Sequence, residues 1–331
     1  MGKPIVSVGS MGGTIAMAPA AEGAGVSPAL GAEDLVSAVP EIGELAEIRA
    51  RSICNVGSPS MSFSYILEAL AFAREEVDGG ATGVVLTHGT DTLDETAYFL
   101  DLLWDRSAPI VLTGAMRSSE MPGADGPANL LASVVVACSE EVRDTGVLVV
   151  LDDEVHLAST VTKSHANAVS TFVSPDWGPI ARVYEKRVRV RMRPKSRHPA
   201  LGVPEKVPAR VPIFELGLDD DGRYIAAAAS AGADGVIIAG AGAGHVPAPV
   251  ADVLDDVVAQ GISVILCTRQ GSGTTAVASY DYPGSEMDLF RRGLIGAGYL
   301  SPRKARILLL VLIAVGATEE EIRRQFALRG E

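Results

Sequence analysis

A chain of 331 residues that is 47% hydrophobic and 21% charged can bury a large core and is long enough for two domains, which excludes a single small module. Its formal charge of −13 argues against a nucleic-acid binder, because a phosphate backbone would be repelled overall. Cys54, Cys138 and Cys267 are widely spaced and form no CxxC, and no histidine pair has HExxH spacing, so reduced, packed thiols and no metal are expected.

In chain order, Met1-Gly2-Lys3 runs straight into the strand-like Pro4 to Val8, without the apolar core and cleavage site of a secretory signal, so a cytoplasmic chain is expected. That strand opens into Gly9-Ser10-Met11-Gly12-Gly13-Thr14, a turn whose glycines allow positive φ and close approach to the backbone. A strand near Ile48 and a helical pattern from Phe63 to Val77 follow. Gly83 to Thr87 reads as a buried strand ending in His88-Gly89-Thr90-Asp91, ahead of a helix over Thr96 to Trp104. Strands at Ile110 and Val147 flank a helix over Ala128 to Glu141, and a polar stretch then carries Thr162-Lys163-Ser164-His165.

Arginines at 187, 189, 191 and 193 alternate, which fits the solvated face of an edge strand guarded by charge. Pro194 to Pro212 has no clear period and reads as a linker. Strands at Ile213, Val236 and Val264 then open a second unit closed by helices Pro302 to Val315 and Glu319 to Leu328, the last with a capping-box start at Thr318. Ile307 to Val315 is the longest apolar run near the C-terminus and falls far short of the ~20 residues that span a bilayer, so no membrane partner is expected. The fold class predicted is α/β: a larger N-terminal parallel-sheet domain (1–193), a linker (194–212) and a smaller C-terminal α/β domain (213–331).

Thr14, Thr90, Asp91 and Lys163 each lie just past a strand-like run, where open α/β sheets place their chemistry. A threonine hydroxyl is a poor nucleophile until a base takes its proton, and a lysine is that base only if its proton can be drawn away. An ion pair to Asp91 would orient Lys163 but hold its proton. Either burial opposes the pair or the proton moves through a relay; the residues leave both routes open. Taken singly, Asp91 more often marks a helix N-cap, Lys163 a solvated loop lysine and Ser58-Pro59 an ordinary turn; the combination lifts them. His88 and His165 read as hydrogen-bonded structural histidines, whereas His245 stays open between structure and function. A dinucleotide fold wants GxGxxG after the first strand, a Walker loop wants GK[ST] and a serine hydrolase wants GxSxG; none is present.

Gly12-Gly13-Thr14-Ile15-Ala16, Thr87 to Thr96 (THGTDTLDET) and Val161-Thr162-Lys163 resemble the three signatures of the bacterial-type L-asparaginase family. Asn55 to Ser58, Gly114 to Arg117, Ala124 to Leu130 and Ser301 to Arg306 extend the resemblance over essentially the whole chain. It implies hydrolysis of L-asparagine to aspartate and ammonia through an acyl-enzyme on Thr14, with Thr90, Lys163 and Asp91 activating the nucleophile or the water. It further implies that Asp91 binds the substrate α-ammonium, that Ser58 beside Gly57 binds the α-carboxylate, and that the Ala115 carbonyl meets the leaving amide nitrogen. The Thr90 backbone N–H becomes a candidate oxyanion donor. The family also implies a homo-oligomer, a dimer of dimers with sites between subunits.

The departures bear on specificity. Family members usually carry a tyrosine in the loop after the GGT turn, and Met17 to Leu30 holds none, so a mobile lid there cannot offer a phenol. Ser27 in that loop, Tyr280 of a neighbouring subunit, water, or the Lys163–Thr90 pair are the groups left to replace it. Pro59 stands where a glutamine often contacts the substrate amine, and Ala243 stands where an asparagine is found. Two alternatives therefore accompany the asparaginase reading: an amidase for glutamine or a modified amide, and a non-catalytic amino-acid-binding relative.

Overall fold

The computed structural model describes residues 2–19, 26–28, 30–194 and 197–331. Within them the chain divides into two compact units, Met1–Ala200 and Leu201–Glu331.

The first unit opens with β1 (Ile5–Gly12), which is buried from Val6 onward because apolar and small residues follow one another without alternation, as in strands covered on both faces. β2 (Met17–Pro19) and β3 (Val26–Pro28) pair antiparallel. Then come α1 (Ala32–Ser37), α2 (Glu41–Leu45), β4 (Glu47–Val56), α3 (Phe63–Asp78), β5 (Gly83–Thr87), α4 (Leu93–Leu103), β6 (Ile110–Thr113), α5 (Gly126–Ala137), β7 (Val147–Leu151) and β8 (Glu154–Leu157). A short ribbon of β9 (Thr162–Lys163) and β10 (Phe172–Val173) precedes the hairpin β11 (Ala181–Tyr184) and β12 (Arg187–Val190).

Among the described residues, eight strands form one sheet in the order β12-β11-β8-β7-β6-β5-β1-β4. The pairs from β4 through β7 are parallel, and those from β7 to β12 are antiparallel. On one face Val6, Val8, Val85 and Val111 form a core with Leu35, Ile42 and α5. The opposite face is covered by α3: a Cβ on Gly9 would meet Phe72 at 2.8 Å. From β1 the chain first goes to one side, to β4, and then returns to the other, to β5. The strand order therefore reverses at β1, and the crevice of such a switch point opens at the carboxyl ends of β1 and β5.

The second unit comprises β13 (Ile213–Glu215), α6 (Arg223–Ser230), β14 (Gly235–Gly240), α7 (Ala248–Ala259), β15 (Ser263–Thr268), α8 (Glu286–Arg291), β16 (Ile295–Gly296), α9 (Pro302–Ala314) and α10 (Glu319–Arg329). Its described strands run parallel in simple sequence order, so this sheet has no reversal and no switch-point crevice. Its core joins Val236, Ile238 and Leu266 to Ile225, Val250 and Leu254. No helix of the described residues is long and apolar enough to cross a membrane.

Several elements differ from the pattern. α5 starts at Gly126, with Pro127 in its first turn where the missing N–H costs nothing, and it stops at Ala137; Ser139 then caps a separate turn, Glu140–Val142, through the Glu141 N–H. The alternating arginines lie on a two-stranded hairpin whose outer member, β12, is the sheet edge; Arg187 and Arg189 are on it, whereas Arg191 and Arg193 lie beyond its end. Thr318 accepts from the Glu321 N–H at 3.3 Å, but the Glu321 carboxylate turns to Arg324 and Gln325.

Candidate active site

The turn after β1 is pressed into the sheet edge. Gly12 and Gly13 have φ of 95° and 85°, and a Cβ on Gly13 would lie 2.2 Å from the Gly89 nitrogen, so only glycine lets the two backbones meet. Thr14 opens a single 3-10 turn, Thr14–Ala16, and is half-buried above the buried Ile15 and Ala16. Gly126 at the head of α5 packs against Ile15, where a Cβ would reach Ile15 Cγ1 at 3.0 Å.

The exit of β5 is held just as tightly. His88 is fully buried; its Nδ1 donates to the Gly89 carbonyl at 2.7 Å and its Nε2 accepts from the Thr96 hydroxyl at 3.0 Å. Burial pushes its pKa down to about 4, against the upward pull of the Gly89 carbonyl and the Asp94 carboxylate. His88 is thus a neutral structural histidine. Ser58 Oγ accepts the Asp91 N–H at 3.2 Å and donates to Asp91 Oδ2 at 3.4 Å, while the Thr92 hydroxyl reaches the Ser58 carbonyl at 2.9 Å. Ser58 is buried and Gly57 leads into its turn, which ties the end of β4 to the start of α4.

Lys163 completes the group. Its Nζ donates to Asp91 Oδ1 at 2.7 Å and to Thr90 Oγ1 at 3.0 Å, with the lysine side chain 13% exposed and that of Asp91 58%. Because the Thr90 oxygen accepts from the lysine, the Thr90 hydroxyl proton is free to move elsewhere. The pairing also leaves Asp91 an exposed flank.

The Gly114–Arg117 loop after β6 forms another wall. Asp125 accepts the N–H groups of Met116 and Arg117 at 2.9 and 2.8 Å. The buried Asn129 donates to the Gly114 carbonyl at 3.0 Å and accepts from the Asp152 N–H at 3.0 Å. Gly114 itself packs on the β5 exit, where a Cβ would lie 2.5 Å from the His88 carbonyl and 3.2 Å from Thr90 Cγ2. Ala115, buried, follows directly.

Thr90, Asp91, Lys163 and Ser58 are thus joined by hydrogen bonds, and the Thr14 turn abuts them through Gly13 and Gly89. Residues 20–25 and 29 of the lid, and the side chain of Ser27, lie outside the described part of the chain. Tyr280 belongs to the second unit, where its ring meets His245 edge-on at 4.8 Å. His245 bridges the Tyr282 hydroxyl at 3.0 Å and the buried Glu286 at 3.2 Å. Burial raises the Glu286 carboxyl, but the N–H groups of Tyr280 and Ser279 hold it below its ordinary range. His165 Nδ1 accepts the N–H groups of Asn167 and Ala168. Among the described residues no cluster of His, Cys, Asp or Glu could hold a metal ion.

Two family descriptions match this chain: "Asparaginase, N-terminal" over residues 5–196 and "Glutaminase/Asparaginase C-terminal domain" over residues 210–326. The chain belongs to the asparaginase family. A Deinococcus radiodurans protein named "Probable L-asparaginase" is 37% identical over 319 residues, covering 95% of this chain and 94% of its own. A Haemophilus influenzae protein named "Probable L-asparaginase periplasmic" is 33% identical over 330 residues, covering 98% and 92%. The crystal structure of a probable cytoplasmic L-asparaginase from Campylobacter jejuni superposes with a TM-score of 0.86 at 32% identity, covering 98% of this chain and 99% of that one.

Within this asparaginase-family chain, sequence reasoning picked out the groups that meet Lys163 but passed over those that hold them. Asp94, Asp125 and Asn129 all stand inside the motif segments. Asn129 had a spacing signal, four residues past Asp125, whereas Asp94 had only its place in the THGTDTLDET segment. His156 was also missed; it is buried with its Nδ1 2.9 Å from the Ser174 hydroxyl, next to the ribbon that carries Lys163. The thiols are inert in character: burial pushes Cys54 and Cys138 up to about 11 and Cys267 higher still.

Proposed function

We propose that the protein is an L-asparagine amidohydrolase that works through an acyl-enzyme on Thr14, without metal or organic cofactor. The observation that carries the reading is Lys163 Nζ held between Thr90 Oγ1 and Asp91 Oδ1, beside the Thr14 turn, at the only strand-order reversal of the described sheets. Thr14 Oγ attacks the side-chain amide carbon, the Thr90 N–H receives the developing oxyanion, and the C–N bond breaks as the nitrogen gains a proton and leaves as ammonia. Water then cleaves the Thr14 ester to give aspartate. Of the two proton routes, the relay is favoured: the Thr14 hydroxyl proton passes to Thr90 Oγ1 as Thr90 hands its own proton toward the leaving nitrogen, while Lys163 stays charged and holds the Thr90 oxygen. The exposed flank of Asp91 suits a substrate α-ammonium, Ser58 beside Gly57 suits the α-carboxylate, and the Ala115 carbonyl suits the leaving nitrogen.

Lacking a lid tyrosine, the enzyme is slower on asparagine than tyrosine-bearing relatives in this reading, since general acid–base help is worth about 10²- to 10⁴-fold. Ser27, or Tyr280 from a neighbouring subunit, is the candidate substitute beside the relay. The active assembly is a homotetramer built as a dimer of dimers, and the cytoplasm is the proposed compartment, consistent with three unpaired cysteines. A shifted preference for glutamine or a modified amide is the second reading, favoured by Pro59 beside Ser58. The test is ammonia release across a panel of amides. Asparagine should lead, and Thr14→Ala, Thr90→Val and Lys163→Met should each collapse turnover without additive losses. Release from another amide alone would select the second reading; binding without release from any would make the chain a non-catalytic amino-acid binder.

A further inference from the structure

We infer that Asp94 is a positioning residue for this reaction: its carboxylate anchors the main chain of Lys163, so that the lysine side chain meets Thr90 and Asp91. The inference rests on the amidase reading for its kinetic consequence, but the anchoring itself is a matter of geometry.

Asp94 is buried, 3% exposed, in the first turn of α4, three residues past Asp91. Its Oδ2 accepts the Lys163 N–H and the Thr162 hydroxyl, both at 3.3 Å, while its Oδ1 accepts the Glu95 N–H at 3.1 Å. A buried carboxylate is tolerated only where donors meet it, and two of these donors come from one short strand 68 and 69 positions away.

That strand needs an external tie. Among the described strands β9, of two residues, pairs with β10 alone, through Lys163 opposite Phe172 and Thr162 opposite Val173, while the flanking Val161 and Ser164 N–H groups reach the Leu157 and Thr171 carbonyls at 3.0 and 2.8 Å. A two-stranded ribbon of this size is marginal by itself; buried Val161 and Phe172 seat it, and the Asp94 bonds are those that tie β9 itself to α4. Lys163 also has four rotatable side-chain bonds, so the position of Nζ depends on where the main chain is pinned. α4 therefore grips Lys163 twice: its entry residues Thr90 and Asp91 hold the ammonium, and Asp94 one turn further holds the peptide N–H. Losing the second grip lets the ribbon move while leaving every reacting group in the chain. A misplacement of about 1 Å is enough to cost about 10²-fold in rate.

The experiment compares wild type, Asp94→Ala and Asp94→Asn in two ways. The first is steady-state kinetics on the preferred amide. The second is the rate at which Lys163 is modified by an amine-directed reagent, read by mass spectrometry of the intact folded protein. Asp94→Ala should lower kcat by about 10²-fold with little change in KM, and should raise Lys163 labelling several-fold. Asp94→Asn keeps an acceptor oxygen and should recover part of both. If Asp94→Ala does not fold, Asp94→Asn carries both measurements, since its amide nitrogen still opposes one of the donors. Unchanged kcat, or Lys163 labelling equal to wild type, overturns the inference. If wild type releases no ammonia from any amide, the amidase reading fails, and the labelling rates alone decide whether Asp94 anchors Lys163.

Discussion

His88 makes the stability of the first unit depend on pH in a way that can be computed. The ring is enclosed beneath the site, donating from Nδ1 to the Gly89 carbonyl and accepting at Nε2 from Thr96, so a second proton would have to be carried without water and with the Thr96 hydroxyl turned from donor to acceptor. Burial lowers its pKa from 6.5 to about 4 in the folded chain. The unfolded chain takes up the proton as pH falls through about 6.5, while the folded chain does not until about 4. Proton uptake therefore favours unfolding, and this contribution is lost progressively as pH falls from about 6.5 to about 4, and is flat on either side. The full difference is worth about 3 kcal/mol, of which about 2 kcal/mol falls between pH ~7.5 and pH ~5. His88→Gln keeps a donor and an acceptor but cannot titrate. Urea denaturation followed by tryptophan fluorescence reports this unit, because Trp104 and Trp177 both lie in it. On acidification wild type should lose about 2 kcal/mol more than the variant. Parallel curves for the two proteins would refute the reasoning, since every other titrating group is common to both.

Gly13→Ala should destabilise by about 1–3 kcal/mol or more and abolish turnover, because its Cβ would collide with Gly89 backbone at 2.2 Å; Gly43→Ala, with nothing within 4 Å on the exposed side of α2, should instead gain about 0.5–1 kcal/mol. Urea midpoints check both, and equal shifts for the two would contradict the close approach. Asn129→Ala strips the Gly114 carbonyl and the Asp152 N–H of their partner and should cost about 1–3 kcal/mol per orphaned group, with a fall in kcat as the Ala115 carbonyl drifts. A folded variant with wild-type kcat would show that the Gly114 loop does not need this bond.

β1, β5 and β6 of the first sheet were legible because they are runs of apolar and small residues that end at or just before glycine. β5 runs Gly-Val-Val-Leu-Thr into His88-Gly89, so Thr90 and Asp91 could be placed at a strand end by pattern alone. Lys163 was harder. It follows the hairpin of β7 and β8, which turns at Asp152 and Asp153, both with positive φ; a pair of aspartates without glycine is a weak turn signal. The two-residue β9 has too few positions to show any period. Asp94 was hidden for a different reason: an acidic residue in the first turn of a helix is already explained by the helix dipole, and nothing local shows that its carboxylate faces a strand 69 residues away. The end of α5 was overrun because Ser139 to Glu141 continues the helical pattern while capping its own turn.

The register of the sheet accounts for how two threonines so far apart in sequence come to adjoining turns, as the proposed reaction at one amide requires. Ser10 of β1 stands opposite Thr87 of β5 in parallel pairing. Thr14 is four residues beyond the first and Thr90 three beyond the second, so both emerge at nearly the same height. Adjacent strands are about 4.8 Å apart, a spacing that a single tetrahedral carbon with its nucleophile and oxyanion can bridge. The contact of Gly13 with Gly89 brings the two turns closer than side chains would allow. Backbone pairing thus sets the threonine pair without help from side chains. Lys163 is held differently: it arrives on a ribbon outside the sheet that is tied at its flanks by the Val161 and Ser164 N–H groups, and the bonds to Thr90, Asp91 and Asp94 then aim its side chain. In the proposed reading, the Thr14 side of the site is placed by sheet topology, and the Lys163 side by a short ribbon and its hydrogen bonds. Substitutions that leave the fold intact should therefore disturb the lysine before they disturb the threonines.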